Sequence, residues 1–390
     1  MFLFIFFLPV NSFGAAFLIY NQDAKVNSMG MAGVSSVNNP SAIFYNPALL
    51  VFQKGFGFSV NTTIIAPEIR YEDPATGKRT YAKTTTHYMP SLYIKYTKDD
   101  FSIGVGLFSP FGLSTEWPAN WVGRYISTSA EIKTTYVNPV FSYKINDYLS
   151  LGAGLSYVSS SVKMKNALNM SAAGLPDGML KLAGDGDGIS YNLAISLTLP
   201  DDYTFSMTYR SPTKIKYKGR VYFYLPSPLN SSSTNATTTF SLPFIAVAGL
   251  SKKIGSLILE GDILYTGWSS MSSYRISSEN GSANNLCYKD WKNTPSIALG
   301  ATYQLNKYFE IQGGYMFDKS PVPAKTLGPD LPDSTRHIYT LGATCRKNSF
   351  KVSFGYQSTF FDKTRSRLPT MSGTYRSFAH VGFINFEYNK

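Results

Sequence analysis

The sequence predicts an all-β membrane protein: a 14-stranded antiparallel transmembrane β-barrel with an N-terminal hatch, or plug, inside its lumen. Three observations lead to this prediction: the composition, the alternation of apolar and polar residues, and the order of short and long connections. Aromatic residues make up 15% of the chain and charged residues only 15%, whereas soluble domains carry about 25% charged residues. A mean hydropathy of −0.10 is low for spanning helices but suits a barrel, whose outward apolar residues alternate with inward polar ones. A large soluble β-sandwich or propeller is the alternative.

At the N-terminus we expect residues 1–14 to be a signal peptide. The apolar run Phe2–Val10 is too short to span a membrane as a helix, and Ser12 and Gly14 provide small residues for cleavage after Gly14. No positive charge precedes the run, which leaves the true start site open. A buried first strand is the alternative interpretation.

The net charge bears on the partners. It is +12, but the Lys and Arg residues are scattered through turns and loops, whereas nucleic-acid binding requires a basic patch. We therefore expect no nucleic-acid partner, and instead attraction to outer-membrane lipids and lipopolysaccharide or to an anionic substrate. The two cysteines, Cys287 and Cys345, are too few for a disulfide scaffold and lack zinc-ligand spacing. No metal or cofactor is expected.

Residues 15–54 form a segment that differs from the rest of the chain. It is rich in Gly, Asn and Pro, as in Ser28–Gly33 and Asn46-Pro47-Ala48, and proline cannot donate to a strand ladder. The segment could be a disordered periplasmic tail, or it could fold inward and plug the lumen. Its apolar residues favour burial and hence the plug: Phe17, Leu18, Ile19, Ile43, Phe44, Leu49 and Leu50.

Residues 55–390 read as membrane strands. In 148–158 the apolar residues Leu149, Leu151 and Leu155 alternate with Ser150 and Ser156, and runs of this kind have the roughly 9–11 residues that a spanning strand needs. The predicted strands are 55–65, 87–97, 101–112, 130–144, 148–163, 188–199, 203–219, 237–251, 256–268, 291–304, 308–318, 336–346, 349–360 and 376–388.

Short and long connections alternate strictly between these strands. Outer-membrane barrels place short turns in the periplasm and long loops outside, so the predicted location is a bacterial outer membrane. Cys287 would lie in an outer connection and Cys345 near the periplasmic end of its strand. The apolar band is about 25 Å tall and a disulfide needs Cα atoms within roughly 7 Å. We therefore expect no bond between the two thiols.

Several short motifs occur in an order typical of one family. They include Met29-Gly30-Met31-Ala32-Gly33, Asn46-Pro47-Ala48, Pro110-Phe111-Gly112, Thr208-Tyr209-Arg210-Ser211-Pro212, Thr266-Gly267-Trp268-Ser269 and Pro329-Asp330-Leu331-Pro332-Asp333. With these motifs the chain resembles the FadL/TodX family of outer-membrane transporters for long-chain fatty acids and aromatic hydrocarbons. The resemblance runs through nearly the whole chain after residue 14 and implies a 14-stranded barrel plugged by an N-terminal hatch.

The resemblance also implies a lateral exit route. Asn46, Pro47 and Ala48 would lie beside an inward kink in the third strand, which matches Ser109, Pro110, Phe111 and Gly112 here. Phe17 matches an aromatic residue that the N-terminal tail inserts into the ligand pocket. From the residues themselves, Pro110 cannot donate a ladder bond and Gly112 permits unusual backbone angles, so pairing should fail at the kink. An ordinary bulge, and a buried hydrophobe at position 17, are the alternatives.

The outer connection 113–129 carries five candidate capture residues: Trp117, Trp121, Val122, Tyr125 and Ile126. In the family, an aromatic groove on this side takes up greasy ligand; the alternative is the interfacial aromatic belt of any barrel. The family's carboxylate-binding residues fall in variable regions and cannot be placed from the sequence.

The predicted function is passive uptake of hydrophobic molecules, most of all long-chain fatty acids, by a monomer. Uptake of aromatic hydrocarbons or alkanes by the same route, and a non-specific porin-like channel, are the alternatives. An enzyme is not expected, because His87, His337 and His380 have no serine in the arrangement that barrel phospholipases use for nucleophilic catalysis.

Overall fold

A computed structural model describes residues 16–390, so the predicted signal peptide, 1–14, lies outside the described residues. The helices are short: α1 (Ala24–Ser28), α2 (Ala42–Tyr45) and the 3₁₀ helices Pro47–Phe52, Ser171–Ala173 and Trp268–Met271. Within the described residues, no helix has the length and apolar character needed to cross a membrane.

The strands are β1 (Gly55–Glu72), β2 (Arg79–Tyr81), β3 (His87–Lys98), β4 (Phe101–Phe108), β5 (Gly112–Glu116), β6 (Ser129–Lys144), β7 (Leu149–Leu168), β8 (Gly178–Leu199), β9 (Tyr203–Arg210), β10 (Thr213–Tyr224), β11 (Ser232–Leu242), β12 (Ile245–Ile254), β13 (Leu257–Thr266), β14 (Ser273–Ser278), β15 (Asn285–Tyr288), β16 (Thr294–Gln304), β17 (Phe309–Asp318), β18 (Arg336–Lys347), β19 (Phe350–Phe361), β20 (Thr364–Leu368) and β21 (Met371–Asn389).

These segments build a closed antiparallel barrel of 14 strands, as predicted. The third barrel strand is interrupted between β4 and β5, the seventh between β9 and β10, and the eighth between β11 and β12. The short strands β2, β14, β15 and β20 belong to the long connections. Pairing of β1 with β21, from Gly57↔Asn389 to Glu72↔Thr374, closes the cylinder. Closure gives the backbone N–H and C=O groups partners in a bilayer that offers no water.

The two ends of the barrel differ in the way that the sequence predicts. Tight turns join β3 to β4 and β18 to β19, and their residues Asp99 and Asn348 adopt positive φ (51° and 54°), which Asp and Asn tolerate in turns. The long connections gather at the opposite end. Cys287 in β15 and Cys345 in β18 are both free, which confirms the prediction that they are not bonded.

Several strands are longer than the sequence predicts. β1 continues to Glu72, β7 to Leu168, and β8 begins at Gly178, whereas the predicted limits were 65, 163 and 188. Strict apolar alternation ends where a strand leaves the lipid, because both faces of the wall then meet water. The backbone ladder does not need that alternation, and it continues past the membrane into the outer connections.

Outward and inward faces are cleanly sorted across the wall. On β7, Leu155 and Tyr157 are exposed on the outside, while Ser150 and Ser156 are buried on the inside. An outer aromatic belt runs across neighbouring strands. Its ring centroids are 6.0 Å apart for Tyr191–Tyr209, 5.9 Å for Tyr209–Phe244 and 6.1 Å for Phe244–Tyr265. Such belts mark the membrane–water interface.

Residues 16–54, here called the hatch segment, lie inside the barrel and contact strands all around its wall. Asp262 of β13 accepts a hydrogen bond of 2.9 Å from the backbone N–H of Gly33. On another side of the lumen, the hydroxyl of Thr340 in β18 donates to the carbonyl of Ser28 at 2.8 Å. The segment is therefore attached to the barrel at several separate points.

Glycines allow the hatch segment to approach the wall closely. Gly30 has φ +66°, and a Cβ atom there would lie 2.5 Å from the backbone nitrogen of Tyr315. A Cβ atom on Gly314 of β17 would lie 2.1 Å from the carbonyl carbon of Met29. Only residues without a Cβ fit this contact, which explains physically why the run Met29–Gly33 carries glycine.

Candidate functional site

The third barrel strand is broken where the sequence predicts that pairing fails. β4 pairs with β3 as far as Leu92↔Leu107, and β5 pairs with β6; within residues 16–390 no ladder joins β5 to β3. The break affects only the side that faces β3, since β6 pairs with both β4 and β5 on the other side. Pro110, which has no N–H to donate, lies between the two halves.

The beginning of the hatch segment occupies this break and pairs with it through a single isolated bridge. Leu18 and Phe111 form an antiparallel bridge. The N–H of Ile19 donates to the carbonyl of Pro110 at 2.7 Å, and the N–H of Gly112 donates to the carbonyl of Phe17 at 2.9 Å. Residues 16–22, here called the tail, thus supply hydrogen-bond partners to the backbone of the kink, which does not pair with β3.

Gln22 extends this contact. Its side-chain amide donates to the carbonyl of Ser109 at 3.0 Å. Its own carbonyl accepts a hydrogen bond of 2.9 Å from the hydroxyl of Ser91 in β3. These two bonds of Gln22 bridge the edges of the break.

Phe17 lies at the centre of a buried aromatic cluster. Its ring centroid is 4.9 Å from Trp268, 5.8 Å from Trp291 and 6.0 Å from Phe111, and the side chain is 1% exposed. Phe17 also lines a small apolar cavity of about 60 Å³, here called the inner cavity. The ring of Phe17 therefore forms part of the wall of the inner cavity.

Asn46, Pro47 and Ala48 lie at the start of a 3₁₀ helix in the hatch segment, and their expected place beside the kink stays a prediction. Asn46 caps the 3₁₀ helix that follows it by accepting from the N–H of Ala48 at 3.0 Å. The carbonyl of Pro47 accepts a bond of 2.6 Å from Ser142 of β6. Ser142 pairs with Ser102 near the start of β4, on the short-turn side of the kink. This motif shapes the hatch segment, while the tail contacts the kink.

A larger cavity opens toward the long connections. This outer cavity has a volume of about 450 Å³. Two of the predicted capture residues, Tyr125 and Ile126, line it. Val122 is 52% exposed but does not line the cavity. Its other walls come from β7, β8, β10, β20, the β14–β15 hairpin and the connection 319–335.

Trp117 and Trp121 are not exposed capture residues, and this part of the prediction is wrong. They are 2% and 3% exposed and stack on each other with ring centroids 4.3 Å apart. Tyr71 and Tyr375 complete this separate cluster. The indole N–H of Trp117 donates to the carbonyl of Pro329 at 2.9 Å. The two indoles fasten outer connections together.

Lys289 and Asp330 form an ion pair between the two cavities. The Nζ–Oδ2 distance is 2.5 Å, and the side chains are 14% and 16% exposed. Both residues line the outer and the inner cavity. Four apolar or aromatic residues line both as well: Met164, Leu182, Tyr274 and Ile276. The two cavities are therefore neighbours, separated by this set of side chains.

Burial affects titratable groups in the β14–β15 hairpin. It raises the pKa of the Cys287 thiol and, well above its usual range, the pKa of the Tyr274 hydroxyl. Both groups are therefore uncharged at neutral pH. The charge that a ligand would meet between the cavities comes from Lys289 and Asp330.

Sequence reasoning missed several residues of this site. Trp268 and Asp330 lie in motifs that were recognised but given no role, and Lys289 and Trp291 were not singled out. Lys289 and Asp330 are 41 residues apart, and no local pattern marks them as partners. The only local signal is that Lys289 directly follows the short apolar run Leu286-Cys287-Tyr288 in an outer connection, and this signal is weak.

The comparisons with known proteins agree with this architecture. A family model described as outer membrane protein transport protein (OMPP1/FadL/TodX) matches residues 6–381. A long-chain fatty acid transport protein of Salmonella typhi is 25% identical over 331 residues, which cover 77% of this chain and 76% of the relative.

Two solved structures share the fold. A Pseudomonas aeruginosa FadL homologue matches with a TM-score of 0.88 and 20% identity, covering 96% of this chain and 100% of that chain. The P. putida toluene transporter TodX matches with a TM-score of 0.78 and 17% identity, covering 94% and 98%. At these identities the likeness concerns the fold of the barrel.

Proposed function

Since the chain belongs to the OMPP1/FadL/TodX family of outer membrane transport proteins, we propose that it takes up long-chain fatty acids passively and releases them sideways into the membrane. The observation that carries the proposal is a continuous series of contacts. The outer cavity adjoins the inner cavity, the inner cavity ends at Phe17, and the backbone of Phe17 is bonded to the broken third strand.

The first step is capture by the outer cavity. Its lining includes apolar side chains such as Ile126, Leu180 and Val221. Burial contributes about 0.8 kcal/mol for each CH₂ group, so a long acyl chain leaves water favourably without many polar contacts. No energy source is required, because partition from water drives entry.

The second step is recognition of the carboxylate. Lys289 lies where the cavities meet, with Asp330 as its partner in the structure. A fatty-acid carboxylate can replace Asp330 as the acceptor for the ammonium group, whereas toluene or an alkane offers no such group. This geometry favours the fatty acid, and the Salmonella typhi relative, named a long-chain fatty acid transport protein, agrees. The structural match to a toluene transporter keeps aromatic hydrocarbons as the second candidate.

The third step is movement of the tail. The inner cavity holds about 60 Å³, whereas ligand pockets usually enclose roughly 300–1,000 Å³. Phe17 must therefore leave its aromatic cluster before an acyl chain can enter. Because the tail also occupies the break beside β5, the same movement uncovers the lateral exit.

The remainder of the hatch segment has a different role. Lys25 pairs with Glu310 of β17 at 2.7 Å, and Asp262 holds the backbone of Gly33. These bonds fix the segment across the lumen, so residues 15–54 act as a plug within the barrel of residues 55–390. The protein acts as a monomeric transporter without catalytic activity, and its outer surface contacts outer-membrane lipids and lipopolysaccharide.

The test is uptake of labelled oleate by cells that lack their own transporter and express this protein, with labelled toluene in parallel. Oleate uptake that is lost when residues 16–22 are deleted supports the fatty-acid route through the tail. Toluene uptake alone would keep the route and change the ligand. Entry of neither compound, together with ion conductance in a planar bilayer, would support a porin-like channel instead.

A further inference from the structure

A row of basic side chains runs along the outer face of β10. Lys214, Lys216, Lys218 and Arg220 alternate along this strand and are all exposed, while Ile215 and the other intervening residues point inward. At about 3.3 Å per residue, the row extends roughly 20 Å. No ion pair among residues 16–390 involves the three lysines of this row.

The row begins next to the outer aromatic belt. Tyr209, the last outward residue of β9, belongs to that belt through its contacts with Tyr191 and Phe244. Lys214 follows it on the same face of the same barrel strand, and β10 ends at a long connection. Aromatic belts lie at the level of the lipid headgroups. The basic row therefore lies at and just above the headgroups of the outer leaflet.

Neighbouring strands widen the row into a patch. In the ladders, Lys163 of β7 and Arg220 of β10 both pair with Ala183 of β8, and Lys165 pairs with Lys181. Paired residues point to the same face, and adjacent strands are about 4.8 Å apart. The basic residues on this face are Lys133, Lys163, Lys165, Lys181, Lys214, Lys216, Lys218 and Arg220.

Three acidic residues share the face. Glu131 contacts Lys133 at 3.1 Å and Lys163 at 3.5 Å, and Asp185 is the ladder partner of Lys218. Asp187 is exposed two residues further along β8. They are outnumbered by the basic residues, so the face remains positively charged, with its excess on β10.

We propose that this patch, here called the basic patch, binds the phosphate groups of lipopolysaccharide in the outer leaflet. Its position at headgroup level and its positive charge fit an anionic lipid. Its length favours a lipid that carries several phosphates on a broad sugar head over a glycerophospholipid with a single phosphate. Lysine ammonium groups without protein partners are available for such contacts.

The test compares purified full-length protein with the triple variant Lys214→Gln/Lys216→Gln/Lys218→Gln. The apparent Kd for lipopolysaccharide is measured in neutral detergent. Each lysine near an anionic lipid surface contributes to the binding free energy, so loss of three lysines should weaken lipopolysaccharide binding roughly 10- to 100-fold. Lipopolysaccharide stripped of phosphate should bind the native protein as weakly as intact lipopolysaccharide binds the variant. Raising the salt concentration should reduce the difference.

The matched control is Lys98→Gln/Lys253→Gln/Lys347→Gln, which removes the same charge at the short-turn end and should leave the Kd unchanged. Asp185→Asn/Asp187→Asn should tighten binding, and this variant keeps the test decisive if the lysine variant folds poorly. Equal Kd values for the native protein and the lysine variant would overturn the proposal. So would equally tight binding of phosphatidylglycerol vesicles, which would indicate a general anionic surface. Oleate uptake, measured separately, reports on transport and not on the basic patch.

Discussion

The backbone N–H of Gly112 donates to the carbonyl of Phe17 at 2.9 Å. One hydrogen bond thus joins the residue that ends the break in the third strand to a residue whose ring lines the inner cavity. A movement that withdraws the ring stretches this bond. On the proposed route, entry of ligand into the inner cavity and opening of the break in the third strand are therefore mechanically linked.

Locking the tail to the kink should stop transport. Leu18 and Phe111 face each other without direct hydrogen bonds between them, an arrangement with Cα atoms about 4.5 Å apart, which a disulfide accepts. In a Cys287→Ser/Cys345→Ser background, Leu18→Cys/Phe111→Cys should take up oleate at less than about a tenth of its reduced rate when oxidised. The single-cysteine variants serve as controls. Equal uptake by the oxidised and reduced forms would rule out movement of the tail.

Removing the ring of Phe17 should enlarge the inner cavity. In Phe17→Ala the ligand no longer displaces a packed ring, so oleate should bind on the order of tenfold more tightly, because the competent state is already populated. The measurement is equilibrium binding of oleate to purified protein. Phe52→Ala, at a position that is 44% exposed, is the control. Weaker binding by Phe17→Ala would mean that the ring contacts the ligand and does not block it.

Lys289 should set the preference for acids. Hydrogen bonds to charged groups contribute about 1.5–3 kcal/mol, so Lys289→Met should weaken oleate binding roughly 10- to 100-fold. Binding of oleyl alcohol, which lacks the carboxylate, should change little. Lys292→Met is a matched control, because Lys292 is 67% exposed and pairs with Asp290 outside the cavity. An equal loss for acid and alcohol would show that Lys289 only supports the fold.

Cys287 offers a reporter of the outer cavity, which it lines. The thiolate is the reactive form, and burial raises the pKa of this thiol. In a Cys345→Ser background, alkylation should be slow at pH 7 and should accelerate as the pH rises above the range where ordinary thiols ionise. Saturating oleate should slow it further. Alkylation at the rate of a free thiol, with or without oleate, would place Cys287 outside the cavity.

Crowding the hatch segment should open a leak. A Cβ atom on Gly314 would collide with the backbone of Met29, whereas a Cβ atom on the neighbouring Gly313 has its nearest contact at 3.5 Å, with Leu341. Gly314→Val should therefore displace the segment and raise ion conductance in planar bilayers severalfold, since a wide barrel whose lumen is not filled leaves an aqueous channel. Gly313→Val should not. Equal conductance would mean that the segment tolerates the added side chain.

Much of the barrel could be predicted from the sequence, because alternation and turn chemistry are local. The alternation alone predicts that Leu155 and Ser156 lie on opposite faces of the wall, and Asp99 marks a turn. The extension of β1 to Glu72 could not be predicted, since outside the lipid the ladder persists without an apolar pattern. The tail was predicted to carry Phe17 into the pocket, but only the folded chain shows that Phe17 is also bonded to Gly112.

The outer site was harder to predict, because loop packing decides it. Trp117 and Trp121 have the composition of an exposed capture surface, and the sequence holds no sign that outer connections bury them. Lys289 and Asp330 meet only after the β14–β15 hairpin folds against the connection 319–335.

Closure of the wall joins the first strand to the last. The hydroxyl of Ser59 in β1 donates to the side chain of Asn385 in β21 at 2.7 Å, across 326 residues of sequence. Contacts of such high contact order form late in folding, and neither edge can be completed until the whole chain has been synthesised and exported. Until then both edges are open to pairing with other chains. Chains truncated before β21 should therefore aggregate or be degraded in the periplasm, and never accumulate as smaller barrels.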